Sequence, residues 1–229
     1  MERFCLKKSG KSKWLVSLLL LFIPLYVVAG DDVKEMSLEE AIDMAYDEYI
    51  RDVAPESLRP FASLSIMGNS AVGADIITEF VRRYNPDFDS EIAQAFIEVG
   101  HRYGIRADVA LCQAIVETGW FKYGGGTAVT ADCHNYCGLG VTAKGRRGAA
   151  FASVSEGVTA HIQHLYAYCC NDDLPKGERL VDPRFNMVNR GCARRWHDLN
   201  GRWAMNNRYS TAILSVYSSL NEFASGYTR

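Results

Sequence analysis

The chain has no surplus of positive charge. Its 229 residues carry 25 Lys and Arg against 27 Asp and Glu, a formal charge of −2, so binding that runs on basic, phosphate-facing surfaces is not expected, and nucleic acid is excluded as a partner. Past the first thirty residues it also lacks long apolar runs: none approaches the roughly 20 residues a membrane-spanning helix needs. Nothing repeats, and no stretch is of low complexity. The most telling absence is local. From Asn135 to Ala150 there is no Asp or Glu at all.

The one long apolar run stands at the start. Lys7, Lys8, Lys11 and Lys13 precede Trp14 to Val28, which is broken only by Ser17 and Pro24 and followed by the small residues Ala29 and Gly30. This order of charged, apolar and small residues is that of a secretory signal over residues 1–30, cleaved or kept as an anchor. Cys5 lies too early to be a lipoprotein cysteine. Removing this segment takes away five basic residues and one acidic residue, which moves the formal charge from −2 to −6. The expected location is therefore secreted or within the cell envelope, with no stable membrane insertion of the mature domain. About 200 residues remain, enough for one well-cored domain.

Residues 31–60 read as an acidic helical lead-in. Ser37-Leu38-Glu39-Glu40 is a capping box, an apolar stripe runs from Leu38 to Ile50, and Pro55 and Pro60 close it. A helix follows at about 74–84. Ser90 is expected to cap the next, which Gly104 closes. From Tyr123 to Phe151 glycine punctuates short polar and β-branched pieces, as in loops or a small hairpin. Helices resume at about 153–170 and 209–223, with irregular chain between them. The expected fold is mainly α (α+β): a helical lobe, a small Gly-rich β lobe and a cleft between, with the catalytic domain over 61–225.

Six cysteines survive signal removal: Cys112, Cys133, Cys137, Cys169, Cys170 and Cys192. In an exported chain an even number suggests disulfides, with 15 possible pairings for six. Cys112, on an apolar helix face, reads as a buried free thiol, which leaves at least one other unpaired.

The segment richest in chemistry is Gln113-Ala114-Ile115-Val116-Glu117-Thr118-Gly119-Trp120-Phe121. Val109, Cys112, Ile115 and Val116 give one apolar face of a helix, and Gly119 stops it. Glu117 ends that face among apolar and aromatic neighbours. Poor solvation would raise its pKa and let it hold a proton near neutral pH, as a general acid must. The plain alternative is a helix-terminal glutamate in water.

This string resembles the catalytic-helix signature of the bacterial glucosaminidase family, Gln-Ala-x-x-Glu-(Ser/Thr)-Gly-aromatic, whose Glu is the general acid. The family comprises peptidoglycan-cleaving enzymes with a lysozyme-like fold. Three further stretches resemble the family in the same order: Asn135-Tyr136-Cys137-Gly138-Leu139-Gly140, Phe151 to Val158, and Trp203-Ala204 to Tyr209. The resemblance runs from about Ile66 to Leu220 and implies peptidoglycan glycan strands as the substrate.

Glycosidases of the usual kind need two carboxylates. Many members of this family carry an acid in the hairpin region that here has none. Asp132 is the expected base, because Ser153-x-x-Glu156 reads as a capping box and Glu98 as surface. Alternatively the substrate's own acetamido oxygen attacks, as in substrate-assisted glycosidases, and the Tyr209 hydroxyl orients it or serves as a core aromatic. Trp120, Phe121, Tyr136 and Trp203 are sugar-stacking or core residues, and Asn135 belongs to the turn beside the groove. Cys133, His134 and Cys137 with His161, His164, Cys169 and Cys170 invite a zinc reading. On the helix pattern, however, His161 points sideways and His164 outward, and neither metal nor cofactor is expected. A lytic transglycosylase or muramidase, and a catalytically inactive wall-binding module, are the rival readings.

Overall fold

The computed structural model describes residues 25–29, 32–36, 56–124, 129–141, 145 and 147–227, and the chain divides into two units, Met1–Ala54 and Pro55–Arg229. In the first unit, β1 (Leu25–Ala29) and β2 (Asp32–Met36) pair antiparallel, with Leu25 opposite Met36 and Ala29 opposite Asp32. These strands straddle the expected boundary between signal and lead-in. The rest of the signal, and the helix expected from Ser37, lie outside the described residues.

The second unit is mainly helical. Its α-helices are α1 (Ala74–Arg82), α2 (Ser90–Tyr103), α3 (Ala107–Thr118), α4 (Val154–Cys169) and α5 (Tyr209–Tyr227). The element capped by Ser90 in the sequence reading starts one residue earlier: Asp89 is the cap, and its side chain accepts from the Glu91 N–H at 2.9 Å. Ser153 and Glu156 form the expected cap of α4, where Glu156 also accepts from Ala152 N–H at 2.8 Å and pairs with Arg179 at 2.9 Å.

Helix α3 is the axis of this unit. The sequence suggests one apolar face, but every residue from Ala107 to Ile115 is buried. The helix packs against both α2 and α5, so it has no solvent side for a polar face. Polar groups on it must therefore find partners inside the protein. Asp108 Oδ2 accepts from the N–H groups of Ala71 (2.7 Å) and Val72 (3.3 Å) and from the Tyr217 hydroxyl (3.3 Å). It ties the chain before α1 and the middle of α5 to the start of α3. Burial pushes its carboxyl pKa up, and the backbone donors pull it back.

Where a β lobe is expected, the described residues between Val129 and Ser153 contain no strand. A loop held by one side chain stands there instead. Asn135 Nδ2 donates to the carbonyls of Leu139 and Ala149, both at 2.9 Å, while its Oδ1 accepts from Leu139 N–H at 2.9 Å. Glycine and β-branched residues suit such tight backbone turns as well as they suit a hairpin, and the pattern alone does not separate the two. The expected disulfides are also absent: all six cysteines from Cys112 to Cys192 are free thiols, four of them buried.

The loop rests directly on α4. A Cβ on Gly157 would come within 1.8 Å of the His134 carbonyl oxygen, a backbone atom with no room to retreat. Gly157→Ala is expected to push the loop off the helix and to destabilise the protein by about 1–3 kcal/mol, the usual penalty of overpacking. Urea denaturation checks this; a variant as stable as the parent would show that the contact constrains nothing.

Candidate active site

Gln113 and Glu117 lie four residues apart on α3 and so share a face. Just beyond Glu117 the helix ends in a left-handed run: Gly119 (φ 58°), Trp120 (φ 62°) and Phe121 (φ 57°), with Trp120 N–H bonded to the Ile115 carbonyl at 2.9 Å. Two bulky residues in this region store backbone strain, a cost that recurs at functional sites. The turn ends the helix where the Glu117 side chain reaches solvent.

Four side chains from outside this turn converge on Glu117 directly or in relay. The Tyr209 hydroxyl donates a short hydrogen bond to Glu117 Oε1, and Trp203 Nε1–H donates to the same oxygen at 3.1 Å. Tyr209 in turn accepts from Gln113 Nε2 at 2.8 Å, and Gln113 Oε1 meets His161 Nε2 at 2.9 Å. Gln113 and His161 are fully buried. Burial pushes the His161 pKa down to about 3, with His164 adding to the effect, so the ring is neutral. Its Nδ1 is buried without a partner, which leaves the proton on Nε2 and makes His161 the donor to Gln113.

Every hydrogen bond in this relay points the same way. His161 donates to Gln113, Gln113 to Tyr209, and Tyr209 to Glu117. An indole N–H can only donate, so Trp203 adds a second hydrogen on Oε1. With both acceptor positions of Oε1 occupied, a protonated Glu117 carries its hydrogen on Oε2. No described side chain bonds to that oxygen.

The electrostatics fit this arrangement. Glu117 is exposed at the mouth of the site, yet protein fills much of the volume around its carboxyl. Lost hydration raises its pKa, and the Tyr209 and Trp203 donors pull it down less strongly. Tyr209 is held far above its ordinary pKa, first by burial and then by the Glu117 charge, so its hydroxyl remains a donor.

Local packing sets both donors from one stretch of chain. Trp203 N–H bonds to the Leu199 carbonyl at 2.9 Å, at the end of the short Trp196–Leu199 turn. Asn200 exchanges hydrogen bonds with Ser210, at 3.0 Å and 2.8 Å, which fixes the first turn of α5 and hence Tyr209.

Of the residues singled out in the sequence, Glu117, Tyr209 and Trp203 come together. Tyr209 does so in a different role: its hydroxyl hydrogen is committed to Glu117 and is not free to orient an acetamide. The other four lie elsewhere. Asn135 is 1 % exposed and spent on the loop, and Tyr136 is 1 % exposed in the core, edge-on to Phe96 and Phe121. Neither can stack on a sugar. Trp120 is half-buried and stacks on Tyr84, with centroids 3.8 Å apart. Asp132 is exposed, accepts from Thr130 Oγ1 and lies 3.9 Å from Arg147. The Thr130 hydroxyl, with smaller help from Arg147, keeps its pKa low, and no hydrogen bond joins it to the Glu117 cluster among the described residues.

Gln113 and His161 are the members whose roles the sequence reading missed. A glutamine on an otherwise apolar helix face, one turn before the glutamate, was the available signal. His161 and His164 are not turned sideways and outward as expected. Both are buried, the first on Gln113 and the second on Asp182 Oδ2 at 2.7 Å. Among the described residues no group of three or more His, Cys, Asp or Glu is placed to hold a metal ion.

Comparison with known proteins bears on this arrangement. The chain is 28 % identical over 213 residues to an uncharacterized protein of Borreliella burgdorferi, covering 91 % of this chain and 97 % of the other. It aligns in structure with the catalytic domain of the autolysin Auto from Listeria monocytogenes at 17 % identity and a TM-score of 0.39, over 82 % of this chain and 97 % of that one. Residues 93–222, over half of the chain and spanning Gln113, Glu117, His161, Trp203 and Tyr209, match the sequence model of the family described as mannosyl-glycoprotein endo-beta-N-acetylglucosaminidase. The chain thus belongs to the glucosaminidase family of glycoside hydrolases.

Proposed function

We propose that the protein is an exported peptidoglycan hydrolase, an endo-β-N-acetylglucosaminidase that cuts the β-1,4 bond on the reducing side of N-acetylglucosamine, with Glu117 as its general acid. The observation that carries this reading is the pair of donors on Glu117 Oε1, which reserves the acid proton for the unbonded Oε2. Export rests on the Lys-rich start, the apolar run to Val28 and the small residues Ala29 and Gly30. Among the described residues no helix is long and apolar enough to cross a membrane.

In this mechanism Glu117 Oε2–H protonates the glycosidic oxygen as the bond to the anomeric carbon breaks. The resulting carboxylate keeps its charge on a group that already holds two hydrogen bonds. Bonds to an ionised acceptor are stronger than those to a neutral one, so Tyr209 and Trp203 stabilise the product of proton transfer more than its reactant. Burial makes the acid hold its proton, and the donors make releasing it easier. The attacking group is the acetamido oxygen of the substrate, which closes onto the anomeric carbon. Water then opens that ring and returns a proton to Glu117. The separation of Asp132 from the cluster favours this route over one with an enzymic base. Trp203, half-buried beside the acid, offers a face to a hexose ring.

Glu117→Gln is expected to lower turnover by about 10²–10⁴-fold, the usual loss on removing a general acid, as measured by release of reducing ends from purified peptidoglycan. The fold should not suffer. A raised carboxyl pKa favours the folded state fully only below the unfolded pKa, and that contribution is lost as pH rises through the folded pKa. At neutral pH the amide avoids this loss and still accepts from Tyr209 and Trp203, so its melting temperature should equal or exceed the parent's. A Gln variant with near-parental activity refutes the acid assignment.

The same separation of Asp132 also suits a lytic transglycosylase, in which the muramic acid C6 hydroxyl attacks. Product ends separate the two. Mass spectrometry after borohydride reduction should find N-acetylglucosamine at the new ends and no anhydro sugar. Mainly anhydromuramyl fragments would move the protein to the rival class with Glu117 still the acid.

A further inference from the structure

Trp203 links Glu117 to two residues that line a separate cavity. Its Nε1 edge meets Glu117, while its ring packs on His164 (centroids 4.8 Å apart) and Tyr168 (5.5 Å). His164 and Tyr168 also line a cavity of about 300 Å³ that Arg184, Met187, Cys192 and Arg202 help to close. The cavity is thus linked to the acid through the packing of Trp203 on His164 and Tyr168.

Its lining holds two arginines and no Asp or Glu. Arg184 is half-buried, and its guanidinium makes no hydrogen bond or ion pair with any described residue. Its backbone is engaged at both groups: the N–H donates to Asp182 Oδ1 at 2.8 Å, and the carbonyl accepts from Met187 N–H at 2.8 Å. Arg202 gives one nitrogen to the Asp198 carbonyl at 2.9 Å and keeps its remaining donors. Asp182, 1 % exposed, gives its oxygens to His164 Nδ1 at 2.7 Å and to the Arg184 backbone N–H at 2.8 Å, and neither guanidinium bonds to it. The half-buried Arg184 and the exposed Arg202 thus both keep guanidinium donors free in a space that no Asp or Glu lines. A planar guanidinium fork matches a carboxylate in geometry as well as in charge. Met187, 70 % exposed, adds an apolar rim, which suits an anion carried on an aliphatic arm better than a free ion.

We propose that Arg184 and Arg202 form a subsite for a carboxylate borne by a substituent of the glycan next to the bond being cut. This rests on the peptidoglycan reading above. On an intact strand such carboxylates belong to the stem peptide; on a strand stripped of peptides the lactyl ether supplies one. The guanidinium pair captures either, and Trp203 couples the capture to the position of the sugar beside Glu117. The subsite gives substituted strands an affinity that plain chitin chains lack.

The test is calorimetric binding to the full chain carrying Glu117→Gln, with and without Arg184→Gln or Arg202→Gln. Three soluble probes are compared: muropeptide oligomers with stem peptides, the same oligomers after amidase stripping, and a chitin tetramer. Each arginine change should weaken the carboxylate-bearing probes about ten- to a hundred-fold, the range for a lost charge-assisted hydrogen bond, and leave the chitin tetramer unchanged. Loss on the stem-bearing probe alone assigns the stem carboxylate; loss on the stripped probe as well assigns the lactyl group. Equal affinities in parent and variants, a matching loss on chitin, or a parent that binds no probe overturns the subsite. If the wild-type chain leaves peptidoglycan uncut while the Arg184-dependent binding persists, the hydrolase reading falls and the subsite stands. If it cuts peptidoglycan and no such dependence appears, the reverse holds.

Discussion

One carboxyl oxygen organises the site. Glu117 Oε1 accepts from both Tyr209 and Trp203, and a two-acceptor oxygen so occupied cannot also carry the acid proton. Glu117 is thereby fixed in rotation and in protonation geometry at once. The relay behind it is what keeps Tyr209 a donor: the Gln113 amide occupies the phenol's acceptor side, and the neutral His161 fixes the Gln113 amide. Each group in the chain has its hydrogen-bond direction determined by the one deeper in the core.

That relay exists because α3 is buried without a break from Ala107 to Ile115. A polar residue on a buried helix must be paired, and Asp108 and Gln113, two of the three buried polar residues there, are paired in different ways. Asp108 holds the fold together at the helix start, while Gln113 reaches the chemistry near its end. The strained left-handed turn from Gly119 to Phe121 ends this helix just beyond Glu117, the Asn200–Ser210 link fixes Tyr209 on it, and α4 brings His161 to Gln113.

The helical frame was legible because 3.6-residue periodicity, glycine stops and the Ser153 cap are local properties. So was Glu117, whose apolar helix and glycine stop are written within nine residues. The glycine-rich segment misled, since a turn-rich loop clamped by Asn135 and a small hairpin draw on the same residue types. Tyr136 and Asn135 were misplaced for a related reason: nearness in sequence to a groove-forming turn does not say which side of the turn a side chain takes. Asp132 looked like a base only because it was the acid beside that turn, whereas its neighbours hold it as an exposed ion. The alignment of Gln113, His161 and Tyr209 spans nearly a hundred residues, and no local pattern carries it. The relation of Trp203 to the arginine-lined cavity is likewise a product of packing, with Arg184 and Arg202 set there by two separate irregular stretches.

The central claim is that Glu117 enters the reaction as a neutral acid, held so by burial and eased toward release by its two donors. Carbon-13 NMR of glutamate-labelled protein, with Glu117→Gln to assign the resonance, reads this carboxyl directly. Its midpoint should lie above the ordinary range of a glutamate. In Tyr209→Phe it should rise further, because removing a donor penalises the charged form. A midpoint at or below the ordinary value, or a downward shift on losing the Tyr209 hydroxyl, would contradict the account.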